Sequence, residues 1–548
     1  MTGHPNMRIL LIVLWALLLL ACAQPQKPET DAEHCASRSW SGWAVVDGVG
    51  DFPFRIRETA AGGSLDVGFA NLYAVALENF SYADQSLQFT WLAKSGDPRV
   101  FTGEEAWDRI AGRIDWTGNA GTFTLHCAAR PITAQDSEAA GMNLGWYLFQ
   151  DPEDPARSAV WDVRRAGYGE VYFRDVRSGQ QRIVFPTEGG AFFTGQRLND
   201  PSVIGHELHI EQPNIVFQAT AQQAAQVGRP FTLQQQEHLI DSAAGPIRVL
   251  VTQRDLNPLG VGLVVVPGSG WQVAEDEKFR TENLAALGLT VVTFDKRGHG
   301  QTPGPTIRPF QDTADDVLAV TQWAQQSQQT VGSWGVLGIS RGGWMVPKID
   351  GLNELYDYVV LAVTPAVTPF QQEMQARLTE LAEMGLDAAQ LQAADHYYRA
   401  LVTHARTPND EHWQAYLEAH RQVVDFVPET YRGAASRDAE DWAWWGLNGD
   451  DDPRPQLCQI ETPTRVILGL EDRKIDFDDT TNKLLSCNHQ RDIPYLHIHP
   501  MVGVGHNLAL TYDGPMWAFD GLGSEGLEAI WQWALMHRNT EHESTTQP

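Results

Sequence analysis

From Ile247 onward the sequence alternates short β-branched runs with helical segments, and this rhythm constrains the fold more than any other feature. Residues 262–266, 290–294, 333–338 and 358–363 read as strands, while 278–287, 312–325 and the stretch from Gly343 onward read as helices. Strand–helix repetition at that spacing predicts a mostly parallel sheet with helices on both faces. The pattern breaks at about residue 370 and resumes at 465–468, ending with a helix over 526–536. Between the breaks, 370–456 is helical and irregular, with Leu378, Leu381 and Met384 at helical spacing. A helical insertion of this kind is expected to cap the carboxyl edge of the sheet, where open α/β sheets bind ligands.

Before Ile247 the text is β-like. Residues 113–116 and 122–125 alternate polar and apolar across a predicted turn at 118–121, and 171–175 and 182–185 flank a Ser178-Gly179 turn; both read as hairpins. The chain therefore divides into a lipoprotein-type signal (1–22), a linker (23–34), an antiparallel β domain (35–130), a second β-rich region (131–235), a catalytic α/β domain (236–540) with its cap at 370–456, and a tail (541–548). A length of 548 residues requires several cores of this kind.

The N-terminal assignment rests on Arg8, the apolar run 9–20 and the segment Leu19-Leu20-Ala21-Cys22. A positive residue, a short apolar core and small residues at its end describe an export signal, too short for a comfortable membrane span. The last four residues resemble a bacterial lipoprotein box with Cys22 as the lipidated residue; plain cleavage and release is the alternative. An exported chain permits disulfides. Four cysteines remain, and of three connectivities Cys35–Cys127 with Cys458–Cys487 keeps each pair within one domain, buried free thiols being the alternative. Localisation at the bacterial cell envelope follows, with membrane attachment only through the lipid. The excess of 69 acidic over 40 basic residues, a net charge of −29, argues against nucleic acid as a partner.

The chemistry-bearing motif is Gly338-Ile339-Ser340-Arg341-Gly342, a Gly-x-Ser-x-Gly between a predicted strand and a predicted helix. In that context the glycines permit a strained turn that lifts the Ser hydroxyl clear of the sheet, and the helix start suits a developing oxyanion. A hydroxyl needs a base and the base an orienting carboxylate, expected here in the order Ser, Asp, His. Asp472 follows the strand 465–469 and His506 follows the strand 495–498. Competing acids are Glu471, Asp476 and Asp478; competing bases are His299, His404, His497 and His499, the last placed just beyond its strand. The two oxyanion donors are expected from the backbone N–H groups of Arg341 and of Ser269 in Pro267-Gly268-Ser269-Gly270.

With Asp295-Lys296-Arg297-Gly298-His299-Gly300 added, the span from about 240 to 540 resembles the α/β-hydrolase superfamily. It is similar to a bacterial branch of esterases with β-rich N-terminal regions, described as prolyl-oligopeptidase-like or serine-aminopeptidase-like. The resemblance implies Ser340, Asp472 and His506 as triad, Ser269 and Arg341 as oxyanion donors, and structural roles for Asp295 and Arg297. Pro267 stands where many members have His, and Trp271 where this branch often has Pro, a change that narrows the expected pocket. The β-rich half matches only loosely, and no function is transferred to it.

The reading leads to a serine esterase acting through an acyl-enzyme on a small-molecule ester, with a short-peptide peptidase or an envelope binding protein with a vestigial hydrolase domain as alternatives. Nothing in the sequence requires a cofactor or metal; Gly521–Gly526, His206-Glu207-Leu208-His209 and Asp450-Asp451-Asp452 lack the context that dinucleotide or metal sites need. Oligomeric state stays open.

Overall fold

The computed structural model describes residues 38–127, 141–488, 495–508 and 524–538, apart from 47–49, 60–61, 68–71, 93–96, 107–108, 152–153, 155–156, 166–170, 178, 180, 188–190, 198–199, 219–224, 271 and 507. The expected signal, linker and tail, with Cys22, Cys35 and Trp271, lie outside the described residues.

Two eight-stranded antiparallel barrels come first. Strands β1 to β8 (Ser39–Val46 to Asn119–Cys127) close when β1 pairs with β8, Trp40 opposite Cys127 and Val46 opposite Gly121. Closure leaves no open edge for another chain to extend. The alternation foreseen in the sequence fills the interior with Phe54, Phe89, Phe101 and Phe123. The β7–β8 hairpin (β7, Arg109–Trp116) turns on only two residues, Thr117 and Gly118, both at positive φ. That is the tight turn whose twist suits a hairpin, so Asn119 to Gly121, expected in the turn, are paired strand instead.

Strands β9 to β16 (Gly145–Phe149 to Gln226–Phe231) close the second barrel through β9 and β16. His206, set aside as a metal ligand, hydrogen-bonds Thr194 at 3.2 Å and packs on Phe217. This barrel rests on the third unit. Leu148, Val160 and Val176 join the core formed by Leu284, Leu287 and Ile530, and Arg174, itself paired with Asp162, donates to Asn283 Oδ1 at 2.6 Å.

The third unit is an eight-stranded sheet in the order β17–β18–β20–β19–β21–β22–β23–β24, comprising Leu233–Ile240, Ile247–Arg254, Val261–Val266, Thr290–Phe294, Ser333–Ile339, Tyr358–Ala362, Thr464–Gly469 and Leu496–Met501, where β19 precedes β20 in sequence. From β20 to β24 neighbouring strands are parallel; β17 and β18 are antiparallel. The central strands β19 to β22 are buried at every position, as their unbroken Val, Leu and Ile runs predict. Strand β17 straddles the expected boundary at 235/236. Its Gln234-Gln235-Gln236-Glu237 is exposed because the strand is the sheet's edge. At the other edge β24 runs through His499 and Pro500, expected beyond the strand; an edge position tolerates a proline.

Helices α1 (Lys278–Ala286), α2 (Phe310–Ser327) and α3 (Gly342–Met345) follow β19, β20 and β21. The cap contains α4 (Pro369–Glu383), α5 (Ala388–Arg406), α6 (Asp410–Val423) and α7 (Glu440–Asn448) around Tyr397, Tyr416 and Trp442. Each of the first three starts at a side-chain cap: Thr368 with Gln371, Asp387 with Gln390, and Asn409. Helix α8 (Phe477–Asn488) is joined to the end of the cap segment by a Cys458–Cys487 disulfide. Cys127 is also disulfide-bonded.

A Cβ at Gly335 in β21 would lie 2.1 Å from the Tyr358 ring, whose hydroxyl donates to Gly262 O at 2.7 Å. Gly335→Val is expected to lower stability by about 1–3 kcal/mol or more, the cost of overpacking a filled core, read as a reduced denaturant midpoint.

Candidate active site

Strand β21 ends at Ile339 and α3 begins at Gly342, so Ser340 occupies the sharp turn between them, at φ +50°. A non-glycine residue pays for that conformation and must be held in it. Ser340 N donates to Ala362 O at 2.8 Å, and Ser340 O accepts from Gly343 N at 2.8 Å. The flanking glycines allow the turn to pack. A Cβ at Gly342 would stand 2.5 Å from Val266 O, and one at Gly338 would stand 2.8 Å from a Val346 methyl.

The structure brings together the three residues that the sequence singled out. Ser340 Oγ lies 2.9 Å from His506 Nε2, and His506 Nδ1 lies 2.9 Å from Asp472 Oδ2 and 3.1 Å from Oδ1. The Asp472 side chain is 1% exposed and is held by the backbone N–H groups of Lys474 and Ile475, at 2.8 and 3.0 Å to Oδ1. An ionised carboxylate only accepts, so it draws the proton to Nδ1 and leaves Nε2 free to accept from the Ser340 hydroxyl. The arrangement can therefore take a proton from an oxygen nucleophile and carry the resulting positive charge beside a buried carboxylate.

Four of the seven competing residues have other surroundings. Asp476 accepts from Asp479 N and from Gln375, and Glu471 is exposed. His404 is fully buried in the cap among Trp413, Tyr416 and Trp442. His497 packs against Trp533. For the oxyanion, the N–H groups of Arg341 and Ser269 find no acceptor among the described residues. The end of β19, from which the Ser269 loop leaves, lies against Gly342.

The structural roles expected of Asp295 and Arg297 are met, but sequence reasoning missed the partners through which they fix these loops. Arg297 donates to Asp316 Oδ1 at 2.7 Å, and Arg308 donates to Asp316 Oδ2 at 2.7 Å. Asp295 accepts from Arg248, Ala274 N and Gln301 N. Asp316 carried no signal because it lies inside an amphipathic helix, where an acid ordinarily faces solvent. Lys474 was missed too: its backbone orients Asp472, while its ammonium pairs with Glu380 of the cap at 3.1 Å. Lys296 donates to Gly268 O at 2.5 Å and so reaches the Ser269 loop.

Residues 263–514, a little under half of the chain, match the model of the alpha/beta hydrolase family. No curated protein matches the chain. Among solved structures, a thermophilic esterase from Thermogutta terrifontis is 16% identical, covering 56% of this chain and 100% of its own at a TM-score of 0.34. A proline iminopeptidase from Mycobacterium smegmatis is 20% identical, covering 55% and 98% at 0.36. An esterase from Exiguobacterium antarcticum is 16% identical, covering 55% and 100% at 0.34. At such scores none of these likenesses bears on what the site acts upon.

Removing Asp316 would leave the buried Arg297 guanidinium without a carboxylate and Arg308 with Asp312 alone. Asp316→Ala is expected to destabilise the fold by about 3–5 kcal/mol, the cost of breaking a buried pair from one side, measured by chemical denaturation.

Proposed function

We propose that this alpha/beta-hydrolase superfamily member is a serine hydrolase that cleaves carboxylic esters through an acyl-enzyme on Ser340. The observation that carries the reading is the continuous relay from Ser340 Oγ through both nitrogens of His506 to the enclosed Asp472 carboxylate. In the first half-reaction Ser340 Oγ attacks the ester carbonyl as His506 Nε2 takes its proton. The tetrahedral oxyanion turns toward the N–H groups of Arg341 and Ser269. His506 then returns the proton to the leaving alcohol as the carbon–oxygen bond breaks. Water attacks the acyl-enzyme under the same base, and the acid leaves.

The acids of helix α4 favour an ester over a short peptide. A peptidase of free amino termini needs an unpaired carboxylate to hold the ammonium. Glu373 is paired with Arg377 at 2.7 Å, Glu383 with Arg473 at 3.0 Å, and Glu380 with both Arg377 and Lys474. These cap acids are already neutralised. Export to the cell envelope with a lipid on Cys22 remains part of the proposal and rests on the N-terminal sequence alone.

Ser340→Ala is expected to reduce kcat for a short-chain p-nitrophenyl ester by about a thousandfold or more, as loss of a triad nucleophile does. Equal rates in the variant and the parent chain would sink the assignment. Asp472→Asn is expected to lose on the order of ten-thousandfold in kcat while the chain stays folded, since the amide cannot hold the imidazole in the productive tautomer.

A further inference from the structure

Two cations stand beside the Ser340 turn, and among the described residues neither is ion-paired. The Arg341 guanidinium lies over the Trp444 ring at 5.0 Å and the Phe310 ring at 5.9 Å. Among the described residues its enclosed Nε has no acceptor. The indole N–H of Trp444 is also enclosed and unpartnered. Lys296 Nζ, held to Gly268 O, is the second cation and lies within electrostatic range of the first.

Glu277 and Asp276 act on the Lys296 charge, but their hydrogen bonds go to other groups. Glu277 pairs with Arg280, and Asp276 accepts from the backbone N–H groups of Gln272 and Val273. Burial and the Arg341 charge, against the smaller upward pull of Glu277 and Asp276, bring the Lys296 ammonium down to about 7, and burial lowers the Arg341 guanidinium to about 10. Enclosed donors without acceptors are costly, and an anion entering from outside would supply the acceptor.

We propose that Arg341, Lys296 and the Trp444 indole N–H form an anion subsite beside Ser340, so that the ester cleaved carries a carboxylate. This rests on the ester-hydrolase reading and deepens it. Arg341 thereby contributes twice: its backbone N–H to the oxyanion, its side chain to substrate selection. The carboxylate has two possible sources, the acyl chain of a dicarboxylic half-ester or the alcohol of a hydroxy-acid ester, and both present the same group to the same donors.

The test compares kcat/KM of the full chain on p-nitrophenyl hemisuccinate against p-nitrophenyl butyrate, and on para-butyryloxybenzoate against its methyl ester. The first pair reports an acyl-side carboxylate and the second an alcohol-side one. In one pair the anionic member is expected to be favoured by about tenfold or more, the value of one charge-assisted hydrogen bond, mainly through a lower KM. Arg341→Met and Lys296→Met are expected to reduce that ratio, and Arg341→Lys to restore part of it.

The wild-type ratio needs no variant to fold. If neutral esters are cleaved in a Ser340-dependent way with no anionic preference in either pair, the subsite is overturned and the hydrolase reading stands. A preference that survives both Met variants also overturns the subsite. Hydrolysis of none of the four esters overturns both.

Discussion

The site depends on a single constraint: a serine must sit at positive φ in a turn with almost no room around it. Ser340 meets the constraint because its neighbours give way. Gly342 lets Val266 O approach to a distance no side chain would allow, and Gly338 leaves space for Val346. The parallel register completes the arrangement. Val266 lies opposite Gly338 and Ile339 opposite Ala362, so three neighbouring strands end together and Ala362 O can accept from Ser340 N. The carboxyl edge thus carries the serine turn and the Ser269 loop side by side, with the Asp472 loop leaving β23 on the same edge.

Ion pairs and polar clamps hold the surrounding loops in place. Asp316 draws in Arg297 and Arg308, Asp295 gathers Arg248 with two backbone N–H groups, and Asn448 ties the cap to α2 by accepting from Phe310 N at 3.0 Å and donating to Arg308 O at 3.1 Å. The cap grips the acid loop as well: Gln372 donates to Lys474 O, and Glu380 pairs with the ammonium of the same residue. The residue whose backbone orients Asp472 is therefore also the residue that the cap holds. Any displacement of α4 would be felt by the carboxylate, which gives the cap a mechanical connection to the relay in addition to covering it.

The candidate constellation is legible in the sequence because its parts are local. Gly338 to Gly342 is a contiguous motif, and Asp472 and His506 each follow a strand with a clear apolar run. Strands buried on both faces announced themselves by unbroken Val and Leu. What the sequence concealed was long-range or positional. The first segment reads as a small barrel or sandwich closed end to end by Cys35–Cys127, but local alternation does not give the register in which β1 meets β8 some eighty residues later. Strand β17 escaped because an exposed edge strand reads Gln-Gln-Gln-Glu and resembles a linker. Strand β24 continues through His499 and Pro500, past the apolar positions that mark it in the sequence, because at an edge the missing proline N–H faces no partner. Lys296 passed as one letter of a loop motif, since its length and burial become significant only once Gly268 and Arg341 surround it.

The central claim is that His506 and Asp472 activate Ser340 and no other hydroxyl. The most direct measurement is mass spectrometry of the chain after reaction with a fluorophosphonate, which traps an activated serine by forming a bond from its Oγ to phosphorus as fluoride leaves. The account predicts one adduct per chain, on the peptide containing Ser340, and its near-complete loss in His506→Ala. Labelling of a different serine, or labelling of Ser340 at an undiminished rate without His506, would contradict it.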